Sequence, residues 1–272
     1  MTVAQAVRAA AERLSATSDT ARLDAELLMA HALGLSRSDM LLRAMRDGAP
    51  VGYEALIDRR ARHEPVAHIV GCQEFFGRTF QVTADTLIPR GDSEVLVEAA
   101  LSLRPQARRV LDMGTGTGAL LLSVVAETKA LGVGTDKSAK ALEVARYNAV
   151  QLDLAERAAF HLRDWHAPGW AGDLGQFDLV LCNPPYIETG ARLDPDVNAF
   201  EPHSALYAGA DGLDDYRILV PQLRGLMAAG GVAIFEIGHR QGDAVTALAR
   251  RAGFAVDLRC DLANRPRALV FT

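Results

Sequence analysis

Four consecutive residues, Asn183, Pro184, Pro185 and Tyr186, could together receive a planar amino group. Neither proline has an N–H, so the turn offers carbonyl acceptors without competing donors, and the rings fix the φ angles that orient those carbonyls. Asn183 adds a side-chain oxygen acceptor, and Tyr186 adds an aromatic face on which a planar group can lie. We therefore predict that this loop binds an –NH₂ group, although Pro-Pro alone also fits an ordinary turn.

The loop follows an apolar, β-branched run at residues 177–181, which predicts a buried strand. Asn183 then lies where the strand ends and the chain turns outward. Ligands of open α/β sheets bind at that edge.

A second candidate site begins at the predicted strand 110–113 and continues through a glycine loop into a helix. Glycines let backbone N–H groups approach a ligand, and the helix N-terminus adds a positive dipole end. Dinucleotide-binding domains use a similar loop, so the loop alone is weak evidence. The G-x-G-x-G spacing favours S-adenosylmethionine, as does an acid before the loop that could meet the ligand's cationic amino-acid end but would repel a pyrophosphate. The candidate cofactor-binding residues here are Asp112, Gly114, Thr115, Gly116, Thr117 and Gly118.

Two further strand ends carry candidate cofactor contacts. Asp136 ends the predicted strand 131–136, where an acid can accept hydrogen bonds from ribose hydroxyls. It could instead cap the next helix, for which Ser138 is the other candidate. Asp164 and Trp165 follow a third strand, and they could bind an adenine amine and stack on its base, although Trp165 could equally be a partly buried surface anchor.

From residue 108 onward, strands and helices alternate, which predicts an α/β fold with a parallel sheet covered on both faces. The last two strands, predicted at 254–258 and 268–271, would form a closing hairpin and place one antiparallel strand at the sheet edge.

Residues 1 to about 70 have helical patterns throughout. We predict a helix capped by Asp19 and ended by Gly34, with Leu23, Leu27 and Ala30 on one face. The expected domains are a helical bundle at 1–72, for packing or for docking a substrate protein, a β-hairpin linker at 73–86 and a catalytic domain at 87–272.

Two other segments are candidates for substrate binding. Arg90 stands just before a helix that Asp92 or Ser93 could cap, and it could orient a substrate or complement an acid such as Glu94. Residues 188–212 form a long polar connection that contains Glu201, and we predict that this connection is a lid or grips the substrate.

The composition excludes several function classes. A net charge of −5 and a sequence pI of about 5.8 argue against a broad electrostatic grip on nucleic acid. The three cysteines lack metal-ligand spacing, so we predict no metal site and a cytoplasmic protein with reduced thiols. Residues 1–15 lack an uninterrupted apolar run and no stretch has the length of a membrane span, so we expect neither a signal peptide nor a membrane partner.

Taken with these residues, the chain resembles the HemK/PrmC family of protein-(glutamine-N5) methyltransferases. Besides the two loops, the segments that carry the resemblance are 71–77, 87–90, 201–202, 211–214 and 236–238. The resemblance implies a class I S-adenosylmethionine-dependent methyltransferase fold, Rossmann-like with a seven-stranded sheet, and a small N-terminal helical domain. It further implies S-adenosylmethionine as methyl donor, and as substrate the glutamine of the Gly-Gly-Gln motif in class I peptide-chain release factors. The candidate substrate-binding residues are then Asn183, Pro184, Pro185, Tyr186, Arg90 and Glu201. Asn183, Pro184 and Tyr186 are the candidate catalytic residues, and Asn183 is also a candidate cofactor contact.

The chain departs from the family pattern in two places. Gly91-Asp92-Ser93-Glu94 stands where the family has Pro-Glu-Thr-Glu, so the acid, hydroxyl and final glutamate are kept while the turn is looser. Near the C-terminal end, Asn264 stands where a glycine-like turn is expected, and asparagine tolerates that backbone.

Our hypothesis for the chemistry needs no general base. The Asn183 side-chain oxygen and the Pro184 carbonyl would accept the two amide hydrogens, and Tyr186 would stack against the amide plane. The rival functions are a glutamine methyltransferase of a ribosomal protein, an adenine-N6 methyltransferase of nucleic acid, and a non-catalytic S-adenosylmethionine-binding protein. We expect a monomer that does not bind nucleic acid directly.

Overall fold

The computed structural model describes residues 1–261 and 263–272. The α-helices are α1 Val3–Leu14, α2 Ala21–Leu33, α3 Arg37–Asp39, α4 Tyr53–Arg60, α5 Val66–Val70, α6 Glu94–Leu103, α7 Ala119–Glu127, α8 Ala139–Gln151, α9 Pro195–Phe200, α10 Asp214–Leu226 and α11 Gly242–Arg251. A π-helical turn covers Met40–Ala44, and 3₁₀ turns cover Gly91–Ser93 and His203–Ala205. Among the described residues, no helix has both the length and the apolar character needed to cross a membrane.

The strands are β1 Cys72–Phe75, β2 Arg78–Gln81, β3 Arg109–Met113, β4 Leu131–Asp136, β5 Ala158–Leu162, β6 Phe177–Cys182, β7 Met227–Glu236, β8 Val256–Cys260 and β9 Pro266–Phe271. Contacts divide the chain into two compact units, residues 1–72 with 193–201 and residues 73–192 with 202–272. Residues 193–201, which the sequence placed in the catalytic domain, thus belong with the helical unit. Residues 73–86, expected as a linker, belong with the second unit.

The first unit is a helical bundle with its own apolar core, to which α1, α2 and α4 contribute. Helix α2 ends at Gly34, which has φ 65°, as predicted, but its N-cap is Thr20 rather than Asp19. Of the predicted apolar face, Ala30 is buried and Leu27 is half-buried, but Leu23 is exposed, and the buried face includes Leu28 and Met29 instead.

Buried charges explain which face of α2 is buried and why residues 193–201 belong to the first unit. Arg60 and Asp24 are both buried, and Arg60 Nε donates to Asp24 Oδ2 at 2.7 Å. Arg60 Nη2 also lies 3.2 Å from Asp196 Oδ2, at the start of α9. Because an unpaired buried guanidinium is costly, α2 keeps Asp24 inside at the expense of Leu23, and α9 supplies a second carboxylate.

The second unit contains a seven-stranded sheet in the order β5-β4-β3-β6-β7-β9-β8. Strands β5, β4, β3, β6 and β7 pair in parallel, whereas β9 is antiparallel to both of its neighbours. The predicted parallel sheet and closing hairpin are present, but the antiparallel strand lies one place in from the edge. The reason is burial: Arg267–Phe271 of β9 are buried, while β8 is largely exposed and takes the edge.

The hairpin of β1 and β2 turns through Phe76 and Gly77, which have φ 49° and 68°. The Asn148 side chain of α8 both accepts from Gln81 N, at 2.8 Å, and donates to Gln81 O, at 3.1 Å. Glu94 at the start of α6 accepts from Phe76 N at 2.8 Å. These bonds attach the hairpin to the second unit.

Candidate functional site

The candidate site lies at the carboxyl ends of β3 and β6. The chain leaves β3 toward β4 and β5 on one side, and β6 leads to β7 on the other, so the strand order reverses between β3 and β6. Met113 of β3 pairs with Cys182 of β6. The glycine loop and the Asn183 loop therefore start side by side at a topological switch point, where ligands of such sheets bind.

A cavity open to solvent lies at this edge of the sheet. Of the predicted site residues, those that line it are Arg90, Gly114, Thr115, Gly116, Thr117, Asp136, Trp165, Asn183 and Pro185. The predicted residues outside its lining are Asp112, Gly118, Asp164, Pro184, Tyr186 and Glu201.

The glycine loop is wound tightly on itself. Gly114, Gly116 and Gly118 have φ 72°, 54° and 82°. The N–H groups of Gly114 and Thr115 both donate to the Thr135 carbonyl, at 2.8 and 2.9 Å. These two N–H groups are therefore used within the protein, contrary to the simple expectation that the loop presents its donors to a ligand. A Cβ at Gly116 would meet no atom within 4 Å, which leaves open space over that residue in the cavity wall.

Trp165 forms a wall of the cavity against the glycine loop. It is 8% exposed, and a Cβ at Gly114 would lie 3.1 Å from its ring. Its Nε1–H donates to Oδ1 of the buried Asp215 at 2.7 Å. The indole ring therefore packs closely against Gly114, where there is no side chain, and the Asp215 carboxylate fixes its N–H.

Asp112 is a buried carboxylate with one satisfied oxygen. The Thr115 hydroxyl donates to Oδ2 at 2.7 Å, whereas Oδ1 is buried without a hydrogen-bond partner in the described structure. Burial, helped by the nearby charge of Asp136, raises the pKa of Asp112 from 3.8 to about 7. The Leu121 backbone N–H also acts on this carboxylate and lowers its pKa. Asp112 does not line the cavity, so its contact with the ammonium of S-adenosylmethionine stays a prediction.

Asp136 lines the cavity at the end of β4. Its two oxygens accept from Gly116 N at 3.0 Å and Ser138 N at 2.9 Å. The N-cap of α8 is Ser138, whose hydroxyl accepts from Ala141 N, so Asp136 does not have that role. Each carboxylate oxygen keeps a second lone pair, which leaves Asp136 able to accept from ribose hydroxyls.

Asp164 is placed differently from the other predicted residues. Its side chain is 49% exposed, and Oδ1 accepts from the backbone N–H of His166 and lies 2.9 Å from His166 Nδ1. The backbone bond from His166 is the main cause that lowers the pKa of Asp164. Its role as an adenine contact stays a prediction.

The Asn183 loop presents one polar side chain to the cavity. Asn183 is half-buried and Pro185 lies beside it in the cavity wall, while Pro184 is buried. Tyr186 turns its hydroxyl away from solvent and donates to Glu236 Oε1 at 3.1 Å. Burial, together with the charge of Glu236, raises the pKa of the Tyr186 phenol, so it stays neutral and a donor.

The sequence indicated Glu236, at the end of β7, only as part of segment 236–238, one of the segments that carry the family resemblance. It is 1% exposed, and its Oε2 accepts from the Ser93 hydroxyl at 2.5 Å. Ser93 is the N-cap residue of α6, as predicted, but its hydroxyl binds Glu236 and makes no side-chain cap bond to the helix. Asp92 instead pairs with Arg267 at 2.7 Å.

Two more positioning residues carried no local sequence signal. Asn148 donates to the Thr117 carbonyl at 2.9 Å, and so fixes the end of the glycine loop. Gln241 donates through Nε2 to the carbonyls of Tyr186, at 2.9 Å, and Gly212, at 3.1 Å. An apolar or polar pattern would not reveal them, because their partners lie 29 or more residues away.

The connection after Tyr186 is more ordered than a simple loop. Ile187 pairs with Tyr207 in an isolated parallel bridge, and Thr189 N donates to the Gly209 carbonyl at 2.8 Å. Pro202, Ser204 and Ala205 of this connection line the cavity. Glu201 belongs to the first unit and is buried there, so its assignment to the substrate remains a prediction.

Comparison with known proteins finds two family models. The PrmC N-terminal domain matches residues 5–71 and the methyltransferase small domain matches residues 90–200. A release factor glutamine methyltransferase of Cereibacter sphaeroides is 42% identical, over 98% of this chain and 97% of its own length. One from Bradyrhizobium diazoefficiens is 41% identical over 98% and 93%. The structure of a ribosomal protein L11 methylase from Lactobacillus delbrueckii subsp. bulgaricus has a TM-score of 0.50, with 20% identity over 74% of this chain and 88% of its own, which shows a shared fold.

Proposed function

Because the chain belongs to the family of release factor glutamine methyltransferases, we propose that it methylates the glutamine of the Gly-Gly-Gln motif in class I peptide-chain release factors. The methyl group goes to the side-chain amide nitrogen. One observation carries the proposal: Asn183 and the glycine loop begin at paired residues of β6 and β3, and they line the same cavity.

The methyl donor is S-adenosylmethionine, whose sulfonium supplies an electrophilic methyl group. The S–C bond would break as the N–C bond forms, S-adenosylhomocysteine would leave, and the methylated nitrogen would lose one proton to solvent. The residues proposed to hold it are the orphaned Asp112 carboxylate for the ammonium, Asp136 for the ribose and Trp165 for the base. The open space over Gly116 leaves room for a ligand against the backbone. Gly114, Thr115, Thr117 and Gly118 shape that wall, mainly through the backbone.

The chain must hold the acceptor amide nitrogen, a weak nucleophile, in a fixed orientation. An amide nitrogen is a poor nucleophile because its lone pair is delocalised into the carbonyl. The Asn183 oxygen and the Pro184 carbonyl accept the two amide hydrogens, and this orients the nitrogen and stabilises the positive charge that develops on it. Orientation of this kind can remove roughly 7–11 kcal/mol of barrier in favourable cases. The pKa of the buried Cys182 thiol, next to Asn183, is raised well above its ordinary value, so it is no base.

We also propose that the enzyme acts as a cytoplasmic monomer and does not bind nucleic acid directly. The net charge of −5 argues against a broad grip on nucleic acid, and the free cysteines Cys72, Cys182 and Cys260 support the cytoplasmic assignment. Arg90, in the cavity wall, is the proposed contact for the acceptor backbone or side chain. The helices of residues 1–72 are the proposed docking element for the release factor.

The test is transfer of labelled methyl to a purified class I release factor and to the same factor with Gln→Ala in Gly-Gly-Gln. A ribosomal protein and adenine-containing DNA serve as parallel acceptors. We expect label only on the intact release factor. Label on the ribosomal protein or on DNA would reject the proposed substrate and leave the methyltransferase assignment in place.

A further inference from the structure

Glu236 connects two segments that border the cavity. Its Oε2 accepts from Ser93, at the end of the 3₁₀ turn before α6, and its Oε1 accepts from Tyr186 of the Asn183 loop. Ser93 and Asn183 both line the cavity. One buried carboxylate thus uses each of its oxygens for a hydroxyl from a different side of the site.

Tyr186 is also held at its backbone. Gln241 donates to the Tyr186 carbonyl at 2.9 Å, and its own Oε1 accepts from Gly238 N at 3.0 Å. The tyrosine is therefore fixed at its hydroxyl by Glu236 and at its carbonyl by Gln241. Since Tyr186 is three residues after Asn183, this fixes the loop that aims the Asn183 amide.

The position of Glu236 excludes a direct contact with the reacting groups. It is 1% exposed and does not line the cavity, so it does not reach a bound acceptor. A buried carboxylate is also a costly way to fill a core, because burial raises its pKa and disfavours its charge. The two hydroxyl donors offset that cost, and the nearby charge of Arg267 acts in the same direction.

We propose that Glu236 is a positioning residue of the methyl-transfer site, which holds the Tyr186 hydroxyl and through it the orientation of Asn183. This inference rests on the proposed function. It requires that loss of the Glu236 carboxylate lowers turnover less when Tyr186 has no hydroxyl to be held, since only the bond to Ser93 is then lost.

The test is a double-mutant cycle in the full-length chain with Glu236→Gln, Tyr186→Phe and both together. Glutamine keeps the size of the side chain but loses the charge-assisted bonds, and its NH₂ group faces one of the two hydroxyls. We expect Glu236→Gln to lower kcat about 10-fold or more, since small misplacement of a reacting group is costly. The dissociation constant for S-adenosylmethionine should stay within about twofold. In the Tyr186→Phe background, Glu236→Gln should lower kcat by a clearly smaller factor than in wild type, because only its bond to Ser93 remains to be lost.

A matched control is Asp178→Asn, the same acid-to-amide change at the opposite end of β6. Asp178 accepts from Arg108 N and Arg109 N, at 2.8 and 2.9 Å, away from the cavity. We expect this variant to keep wild-type kcat. If the fold-changes of Glu236→Gln and Tyr186→Phe instead multiply, or if Glu236→Gln weakens donor binding as much as turnover, the positioning role is rejected.

Amide hydrogen exchange gives a readout that needs no acceptor. Peptides that cover residues 183–187 should exchange faster in Glu236→Gln and in Tyr186→Phe, to the same extent, and not in Asp178→Asn. Unchanged exchange in Glu236→Gln would overturn the inference even if the release factor is methylated. If the wild-type chain does not methylate the release factor but the exchange pattern holds, the proposed function fails and the Glu236 contact to Tyr186 stands.

Discussion

The hydroxyl of Thr115 donates a 2.7 Å hydrogen bond to Oδ2 of Asp112, and the other oxygen of that carboxylate is left buried without a partner. Thr115 follows Gly114, whose left-handed conformation lets the chain turn back over the end of β3. This second oxygen is the proposed contact for the ammonium group of the methyl donor.

Replacement of Asp112 by Asn should weaken binding of S-adenosylmethionine about 10–100-fold, because hydrogen bonds to charged groups contribute about 1.5–3 kcal/mol. Titration calorimetry of the purified chain would measure this change. Thr135→Ser, which keeps the hydroxyl donated toward the Asp112 carbonyl at 3.4 Å, is the control and should bind normally. Equal affinity in Asp112→Asn and wild type would contradict the assignment of the ammonium to Asp112.

The raised pKa of Asp112 also predicts a pH effect. The folded chain holds this proton more tightly than the unfolded chain, with pKa about 7 against 3.8. The contribution of Asp112 to stability is therefore greatest below about pH 4 and declines as pH rises to about 7. Ligand-free Asp112→Asn should lack this decline, so its melting temperature should gain on wild type between pH 4 and 7. If the melting temperatures of Asp112→Asn and wild type differ by the same amount at every pH in that range, the raised pKa of Asp112 is rejected. A cationic ligand favours the ionised form, so donor affinity of the wild type should rise with pH toward 7.

Asn183→Ala should lower kcat about 100-fold, since it removes an acceptor that positions the amide nitrogen and stabilises its developing charge. Donor affinity should change little, because the proposed donor contacts, Asp112, Asp136 and Trp165, lie outside the Asn183 loop. Steady-state methylation of the release factor, with donor binding measured separately, tests both parts. A loss of donor affinity as large as the loss of turnover would argue against this division between acceptor and donor residues.

Gly114→Ala should destabilise the chain by about 1–3 kcal/mol, because alanine is strained at φ 72°. Its Cβ would also lie 3.1 Å from Trp165, so donor affinity should fall as the indole shifts. Gly225→Ala is the matched control: no atom lies within 4 Å of that Cβ, and alanine favours the helix α10. Chemical denaturation and donor titration of both variants would measure the effects, and equal behaviour would show that Gly114 is not constrained.

In the helical unit, Arg60→Met should cost about 3–5 kcal/mol of folding free energy, since it leaves the buried Asp24 without its guanidinium. Arg13→Met is the control, because Arg13 pairs with Asp58 at the surface, where such a pair contributes about 0–1 kcal/mol. Denaturant unfolding followed by circular dichroism would compare them. Similar losses in the two variants would show that burial of the Asp24 pair is not what stabilises this unit.

Much of the site could be predicted from the sequence because its signals are local. The strand before Asn183, the glycine loop after β3 and the acid at the end of β4 are each set by a short run of residues. The parallel alternation then brings their carboxyl ends to one edge. The left-handed Asn264, with φ 58°, was foreseen in the same way, whereas Leu262 in the same connection lies outside the described residues.

Only the tertiary structure decided which polar side chains, far apart in the sequence, bind one another. Ser93 is a reasonable helix cap by its local sequence, yet its hydroxyl binds Glu236, 143 residues later, because a buried carboxylate needs hydrogen-bond donors. Similarly, Asp24 is turned inward by Arg60, and β9 takes an inner place in the sheet because its apolar residues need cover on both sides. Hydrophobic periodicity and turn residues determine the helices and strands and the polar residues at their ends. Burial of charge and of apolar surface determines which of these helices, strands and side chains contact one another.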